Sequence, residues 1–325
     1  MRIVIPDDYQ DAVRSLDCFR QLAEHHVTVY HDSVKETDVL AERFREAEAL
    51  VLIRERTAIS EALLAQLPNL KIIAQTGRGA PHIDMAACTR HGVAVTLGGG
   101  TPYATAELTW GLVLASMRHI PQEYAHMKAG RWQTTLGTGL HGRTLGIFGY
   151  GNIGRLVASY GRVFGMHVLI WGRENSLTRA RADGFETAAS REALFSESDV
   201  LSLHIKLSEE TRGLVTANDL AQMKPSALLV NTSRAGLIER GALEEAVRAG
   251  RPGYAAVDVY DEEPVVDHPL LHLDTVLCTP HLGYVEKDSY ELYLGTAFEQ
   301  LLAFASGKPT DVANPQALEH DKHKG

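Results

Sequence analysis

Cysteine is scarce in this chain: Cys18, Cys88 and Cys278 are the only three in 325 residues, and they lie far apart. An odd, scattered set forms no disulfide framework and no CxxC pair for a metal or redox centre. It suits a reducing compartment, so a cytoplasmic protein is expected. Positive charge is also in deficit, with 32 Lys and Arg against 41 Asp and Glu and a formal net charge of −9. The basic residues form no cluster of the kind that polyanion binders present, so no nucleic-acid partner is expected. Long apolar runs are missing too. Met1-Arg2-Ile3-Val4-Ile5-Pro6 is too short for a signal peptide. Nothing approaches the roughly 18 consecutive apolar residues of a membrane helix, so no membrane partner is expected. No repeat of solenoid period and no low-complexity segment occurs.

What is present is a globular composition, 45% hydrophobic and 22% charged, over a length that accommodates about two domains. In the first hundred residues, apolar runs at Ile3–Ile5, Val27–Tyr30, Ala49–Ile53, Lys71–Ala74 and Val93–Val95 read as buried strands. Between them, Val13-Leu16-Phe19-Leu22 and Leu63-Leu64-Leu67 recur at helical spacing. Ser60-Glu61 suits a helix start and Pro68-Asn69 a stop. Strand, helix, strand in repetition predicts a parallel sheet with right-handed crossovers. Gly98-Gly99-Gly100-Thr101-Pro102 then marks a hinge or domain junction, and one long helix follows from about Tyr103 to His119, closed by Pro121.

A second series of six strands, Leu145–Phe148, Val168–Trp171, Val200–Leu203, Leu228–Asn231, Ala255–Val259 and Val276–Cys278, fits a complete dinucleotide-binding domain. The last long helix, about Val285 to Ala305, lies beyond that sheet and implies that the chain returns to the first domain. The expected fold class is α/β: a Rossmann doubly wound parallel sheet over 100–284, and a discontinuous α/β substrate-binding domain over 1–99 and 285–325. The tail from Pro315 to Gly325 reads as polar and loose.

The sharpest motif is Gly149-Tyr150-Gly151-Asn152-Ile153-Gly154. A GxGxxG alone is weak, but here it follows the apolar run Leu145-Gly146-Ile147-Phe148 and opens a helical pattern at Ile153, Leu156, Val157 and Tyr160. The first glycine permits the tight turn, the second lets a pyrophosphate approach the backbone, and the third brings helix and strand together. The helix N-terminus then faces the anion. NAD or NADP is the expected cofactor. The acid that would bind the ribose of NAD is displaced, because the second strand ends Trp171-Gly172-Arg173-Glu174. Arg173 can meet a 2′-phosphate and tilts the expectation towards NADP; Glu174 can instead restore ribose binding, or pair with Arg173 and do neither.

Three later segments end predicted strands: Asn231-Thr232-Ser233-Arg234-Ala235-Gly236, Asp258-Val259-Tyr260-Asp261-Glu262-Glu263-Pro264 and Thr279-Pro280-His281-Leu282-Gly283. Open α/β sheets bind ligands at those ends. An arginine there can grip a carboxylate and polarise the neighbouring carbonyl. A histidine can donate a proton as hydride arrives, and a carboxylate beside it favours its protonated form. The set suits hydride transfer to a 2-keto acid, although chemistry alone does not choose among Asp261, Glu262 and Glu263.

On these segments the chain resembles the D-isomer-specific 2-hydroxyacid dehydrogenase family, over essentially its whole length to about Leu318. The likeness includes Ile53-Arg54-Glu55-Arg56-Thr57, Ala106-Glu107-Leu108-Thr109, Met127-Lys128-Ala129-Gly130-Arg131-Trp132 and Leu140-His141-Gly142-Arg143-Thr144-Leu145-Gly146. Several stretches look closest to the catalytic core of 3-phosphoglycerate dehydrogenases, without the C-terminal regulatory domain of some members. The resemblance implies Arg234 as the substrate-binding arginine, Glu263 as the acid that orients the histidine, and His281 as the acid/base. It also implies that Asp258 contacts the nicotinamide amide and that His204, Thr232 and Ser233 line the cofactor. A flavodoxin-like substrate domain, a homodimer and a closing cleft are further implications.

Where the family usually has Gly-x-Gly-Val-Asp-Asn-Ile-Asp, this chain has Gly77-Arg78-Gly79-Ala80-Pro81-His82-Ile83-Asp84. That loop normally offers backbone N–H groups, here around Gly79, to the substrate carboxylate. Arg78, with Arg54 and Arg56, can form a second anion site for a phosphate or second carboxylate, or make ordinary ion pairs. His268 and His272 lie four apart, but Pro269 and the lack of a third ligand favour a loop and no metal. Cys278 reads as a small strand hydrophobe, and Trp110 and Trp132 as packing or dimer-contact residues. The alternative function is a dinucleotide-sensing, corepressor-like interaction protein. A formate dehydrogenase is a closer rival, but its pattern has glutamine where this chain has Glu263.

Overall fold

The computed structural model describes residues 1–323, and the chain divides into two compact units, Met1–Thr101 with Glu286–Gly325, and Pro102–Val285. The expectation for Lys324 and Gly325 lies outside the described residues. The first unit begins with β1 (Arg2–Ile5), β2 (His26–Val29), α1 (Thr37–Phe44), β3 (Ala49–Leu52), α2 (Glu61–Leu64), β4 (Ile72–Gln75), α3 (Met85–Arg90) and β5 (Ala94–Leu97). Its five strands are all parallel, in the order β2-β1-β3-β4-β5, which is the flavodoxin-like arrangement. β3 and β4 are buried at every residue because both faces are covered, which is why they read as unbroken apolar runs. Ser60 caps α2 by accepting from the Leu63 N–H, and Asp84 caps α3 by accepting from the Ala87 N–H.

The second unit holds α4 (Tyr103–Met117), α5 (Ile120–Lys128), β6 (Thr144–Phe148), α6 (Asn152–Val163), β7 (His167–Trp171), α7 (Glu174–Ala182), β8 (Glu186–Thr187), α8 (Arg191–Glu197), β9 (Val200–Leu203), α9 (Ala217–Ala221), β10 (Leu228–Asn231), α10 (Ala242–Arg248), β11 (Tyr254–Val257) and β12 (Val276–Cys278). Its sheet is parallel throughout, in the order β12-β11-β10-β9-β6-β7-β8. The reversal at β6 and β9 is the crevice where doubly wound sheets bind dinucleotides. Two apolar clusters cover the faces, one around Trp110, Ile147, Val157 and Ile170, the other around Phe148, Phe195, Leu203 and Leu229. The final helix, α11 (Lys287–Ala305), belongs to the first unit, where it buries Tyr290, Leu294, Phe298 and Leu301.

Several expected elements differ. Val13 to Leu22 forms two 3₁₀ segments, Val13–Ser15 and Asp17–Leu22, separated by an extended Leu16. The apolar spacing of three matches three residues per turn better than 3.6. Pro121 does not close the long helix. α4 stops at Met117, His119 adopts a left-handed φ of 52°, and Pro121 sits in the first turn of α5, where its missing N–H has no partner to lose. The sheet has a seventh strand, β8, of two residues, too short for an apolar pattern. Part of the tail is regular: Pro315–His323 is a 3₁₀ segment, and Ala317 is buried. The segment before it is tied to β5, with the Val95 N–H donating to Asn314 Oδ1 and Ala313 N–H to the Val95 carbonyl. Among the described residues no helix is long and apolar enough to cross a membrane.

Candidate active site

The turn after β6 shows why three glycines stand there. Gly149 has φ +103°, and a Cβ on it would lie 2.5 Å from the His204 carbonyl oxygen. A Cβ on Gly154 would lie 2.2 Å from the Gly149 carbonyl oxygen. Both positions therefore exclude side chains for reasons internal to the fold. Gly151 differs: among the described residues nothing lies within 4 Å of its Cβ position. That open space is where a pyrophosphate needs close approach to the backbone. Gly151 also precedes Asn152 and Ile153 at the start of α6 without a side-chain cap, and the first turn carries no acid. The leading N–H groups are thus available to an anion. These residues fit a dinucleotide.

His204 closes the underside of this turn. Its N–H donates to the Phe148 carbonyl at 2.8 Å, and its Nε2 meets Ser202 Oγ at 2.9 Å. Its Nδ1 is enclosed without a partner among the described residues, and burial pushes the imidazole down to about 3. The ring is therefore neutral at physiological pH. Ser233 Oγ donates to the Leu203 carbonyl and Thr232 Oγ1 meets Thr109 Oγ1, each at 2.7 Å.

The second group of residues follows three neighbouring strands, β10, β11 and β12, at their C-terminal ends. His281 Nδ1 lies 2.7 Å from Glu263 Oε2, with both side chains about one-third exposed (27% and 34%). Burial pushes the Glu263 carboxyl up, but the His281 hydrogen bond and charge outweigh it, aided by the Tyr260 N–H and Arg234, and leave it below the usual range. Glu263, which strand-end chemistry alone left among three candidates, is thus the acid that meets the histidine. Arg234 opens a 3₁₀ turn, Ala235–Leu237, and its Nη1 donates to the Ser233 carbonyl at 2.7 Å.

The supporting contacts were not singled out from the sequence. Asn231 is buried at the end of β10; its Oδ1 accepts from the Ser233 N–H and its Nδ2 donates to the Arg234 carbonyl, each at 3.0 Å. This Asx-type turn aims Arg234, and Asn-x-Ser at a strand end was the available signal. Asp258 is fully buried and accepts from Thr279 Oγ1 at 2.7 Å and from the Leu282 and Gly283 N–H groups at 2.7 and 2.9 Å. It clamps both sides of His281, whose backbone has a left-handed φ of 52°. Tyr260 donates its N–H to Glu263 Oε1 and its hydroxyl to the Thr279 carbonyl. Thr105 of α4 donates to the Gly283 carbonyl at 2.7 Å, a contact 178 residues apart for which no sequence signal existed.

The remaining candidates belong to other elements. Arg173 is 80% exposed and pairs with Glu210 at 3.5 Å, while Glu174 pairs with Arg181 at 3.0 Å, so neither acid–base partner is the one the dipeptide suggested. In the first unit, Arg54 Nη1 donates to the Thr76 carbonyl and its guanidinium stands over Tyr293. Arg56 donates to the Asp7 carbonyl at 2.5 Å and stacks on Tyr9. Arg78 and Gly79 are exposed on the loop after β4. His268 and His272 do not share a loop: His268 caps a 3₁₀ turn, Pro269–His272, whose last residue, His272, pairs with Asp267. Asp8, Asp11 and His31 cluster within 4.8 Å, but both Asp8 oxygens already accept backbone N–H groups from Ala12 and Val13.

The family model for the D-isomer specific 2-hydroxyacid dehydrogenase NAD-binding domain matches residues 110–283. A glyoxylate reductase of Aeropyrum pernix is 38% identical over 86% of this chain and 87% of its own. A D-3-phosphoglycerate dehydrogenase of Bacillus subtilis is 36% identical over 84% of this chain, which spans only 52% of that relative. An oxidoreductase structure from Ralstonia solanacearum superposes with a TM-score of 0.95 at 54% identity, covering 98% of both chains. These likenesses favour an enzyme over a dinucleotide-sensing interaction protein. The chain belongs to the D-isomer specific 2-hydroxyacid dehydrogenase family, and is an NAD-dependent oxidoreductase of 2-hydroxy acids.

Proposed function

We propose that this chain reduces a small 2-keto acid to its D-2-hydroxy acid, with Arg234, Glu263 and His281 as the catalytic set. The observation that carries the assignment is the 2.7 Å pair of His281 Nδ1 and Glu263 Oε2 beside the Arg234 turn. When bound, the nicotinamide supplies the hydride. Arg234 grips the substrate carboxylate and polarises the ketone oxygen. His281, held by Glu263 through Nδ1, presents Nε2 to that oxygen and gives it the proton, so that C=O gains one hydride and one proton. In the oxidative direction His281 takes the proton back. Gly149, Gly151, Asn152, Ile153 and Gly154 hold the pyrophosphate, with His204, Thr232, Ser233 and Asp258 shaping the rest of the dinucleotide site.

Finer assignments follow the same lines. Arg173 is exposed at the end of β7 and gives NADP(H) an advantage through its 2′-phosphate. Gly79 supplies backbone N–H groups to the substrate carboxylate, and Arg54 braces that loop from beneath. Arg78 makes no hydrogen bond or ion pair among the described residues, which supports its role as receptor for a second anionic group. Relatives are named for glyoxylate, hydroxypyruvate and 3-phosphoglycerate, and the last carries such a group. The three free cysteines support a cytoplasmic location. Initial rates with glyoxylate, hydroxypyruvate and phosphohydroxypyruvate, each with NADH and NADPH, test this reading. Turnover is expected with at least one pair; none at saturating protein would overturn it. Arg78→Ala should lower kcat/KM for the phosphorylated substrate more than for glyoxylate, and Arg173→Ala should lower it for NADPH more than for NADH.

A further inference from the structure

The loop from β4 to α3 contains one histidine that neither the glycine turn nor the catalytic set uses. His82 stands where the family pattern has asparagine. Its backbone is fixed: the His82 carbonyl accepts from the Ile59 N–H at 2.8 Å, and Ile83 bridges to Ile59. Its ring is not. Both imidazole nitrogens are covered, and neither has a hydrogen-bond partner among the described residues. A neutral imidazole carries one donor and one acceptor, so enclosing both unmet is unfavourable, and enclosing an imidazolium is more so.

The charged groups facing the ring are Glu55, which favours its protonated form, and Arg54, which opposes it. Asp84, two residues on, is turned away to cap α3. Burial, the largest influence, holds the imidazole below its ordinary range, so it is neutral at physiological pH. The ring's surroundings are mechanically linked to Gly79. Gln75 Nε2 donates to the carbonyls of Arg54 and Gly79 at 3.1 and 3.3 Å, and Glu55 Oε1 lies 3.6 Å from the Cβ position of Gly79.

We propose that His82 is a proton-gated positioning residue for the loop 77–83. Neutral, it stays enclosed and the loop keeps the conformation that receives substrate. Protonated, it turns towards Glu55 and draws the Gly79 backbone with it, so substrate affinity falls on acidification while the chemical step persists. The inference rests on Gly79 being a substrate contact. Its sign follows from the enclosed neutral ring: the change lies below the ordinary imidazole value of about 6.5.

The experiment measures KM and kcat for glyoxylate, whose carboxylate does not titrate in this range, from about pH 7.5 to about pH 5, in the wild type and His82→Asn. In parallel, hydrogen exchange of the 77–84 segment is followed in substrate-free protein as protection relative to intrinsic rates. The expected result is a several-fold rise in KM with loss of loop protection in the wild type, and neither in His82→Asn. Wild-type protection that does not change with pH overturns the gate, as does a rise in KM on acidification that is equally large in the variant. PH-dependent protection, absent in the variant, without a KM change upholds the gate and overturns Gly79 as a substrate contact. His82→Gln serves the same comparison should the asparagine variant fail to fold.

Discussion

At the scale of single residues, the chemistry depends on how His281 is held. Glu263 bonds one ring nitrogen, Asp258 bonds the backbone on the far side, and Thr279 is shared between Asp258 and Tyr260. Replacing His281 with alanine removes the proposed proton donor without touching the glycine turn. Reduction should slow roughly a hundredfold to ten-thousandfold, while NADH binding followed by fluorescence stays near wild type. Loss of cofactor binding in a folded variant would contradict the role given to His281. Glu263→Gln keeps the shape but removes the charged partner that holds the ring through Nδ1, so kcat for reduction should fall while NADH binding stays near wild type. The linkage sign is also fixed. Glu263 titrates below its unfolded value, so its contribution to stability is present above that value and disappears as pH falls through the folded one. The triad's members were legible in three strand-end motifs, but the choice of Glu263 came from resemblance, and the pairing distance now supports it.

At the scale of elements, the turn between β6 and α6 separates two kinds of glycine. Gly154→Ala drives a Cβ into the Gly149 carbonyl. It should destabilise the protein by about 1–3 kcal/mol, the usual cost of overpacking, and lower the melting temperature. Gly151→Ala meets no protein atom, so the melting temperature should hold while affinity for NADH falls. If Gly151→Ala binds NADH normally, the pyrophosphate does not lie there. Element prediction succeeded where burial was uniform, as in β3, β9 and β10. It failed where the residues carried another signal. Pro121 reads as a stop but starts α5, because proline suits a first helical turn as well as a helix end. β8 is held by its pairing with β7 rather than by apolar pattern.

At the scale of the whole molecule, the distribution of exposed apolar groups matters more than their number. Ile120, Tyr124 and Met127 form a stripe along α5, and Trp132 (74% exposed) and Leu136 (94%) follow in the next loop. Glu123 fastens that loop by accepting from the Thr134 N–H and the hydroxyls of Thr134 and Thr135, which hold its carboxyl down at about 2. An exposed apolar stripe is the kind of surface a second copy covers, as the homodimer implied by the family resemblance would require. Tyr124→Asp with Trp132→Asp should halve the mass measured by sedimentation velocity while leaving the circular dichroism spectrum unchanged. An unaltered mass would place any association elsewhere. Trp110, in contrast, is packed against Tyr160 and Phe164.

The sequence by itself determined the α/β class and the two parallel sheets, and it carries the motifs on which the proposed dinucleotide turn and arginine–acid–histidine set rest. Each of these is a local pattern: apolar runs for strands buried on both faces, glycines at fixed offsets, polar residues at strand ends. Tertiary structure decided that Asp258 clamps the histidine loop, that Arg173 pairs with Glu210, and that neither His82 nitrogen is satisfied among the described residues, and it put Glu263, which only resemblance had singled out, 2.7 Å from His281. The physical reason is range. Propensity and periodicity act over a few residues, whereas hydrogen bonds such as Thr105 to Gly283 and Thr109 to Thr232 join positions 178 and 123 residues apart. Such contacts exist only once the sheet has brought its strand ends together.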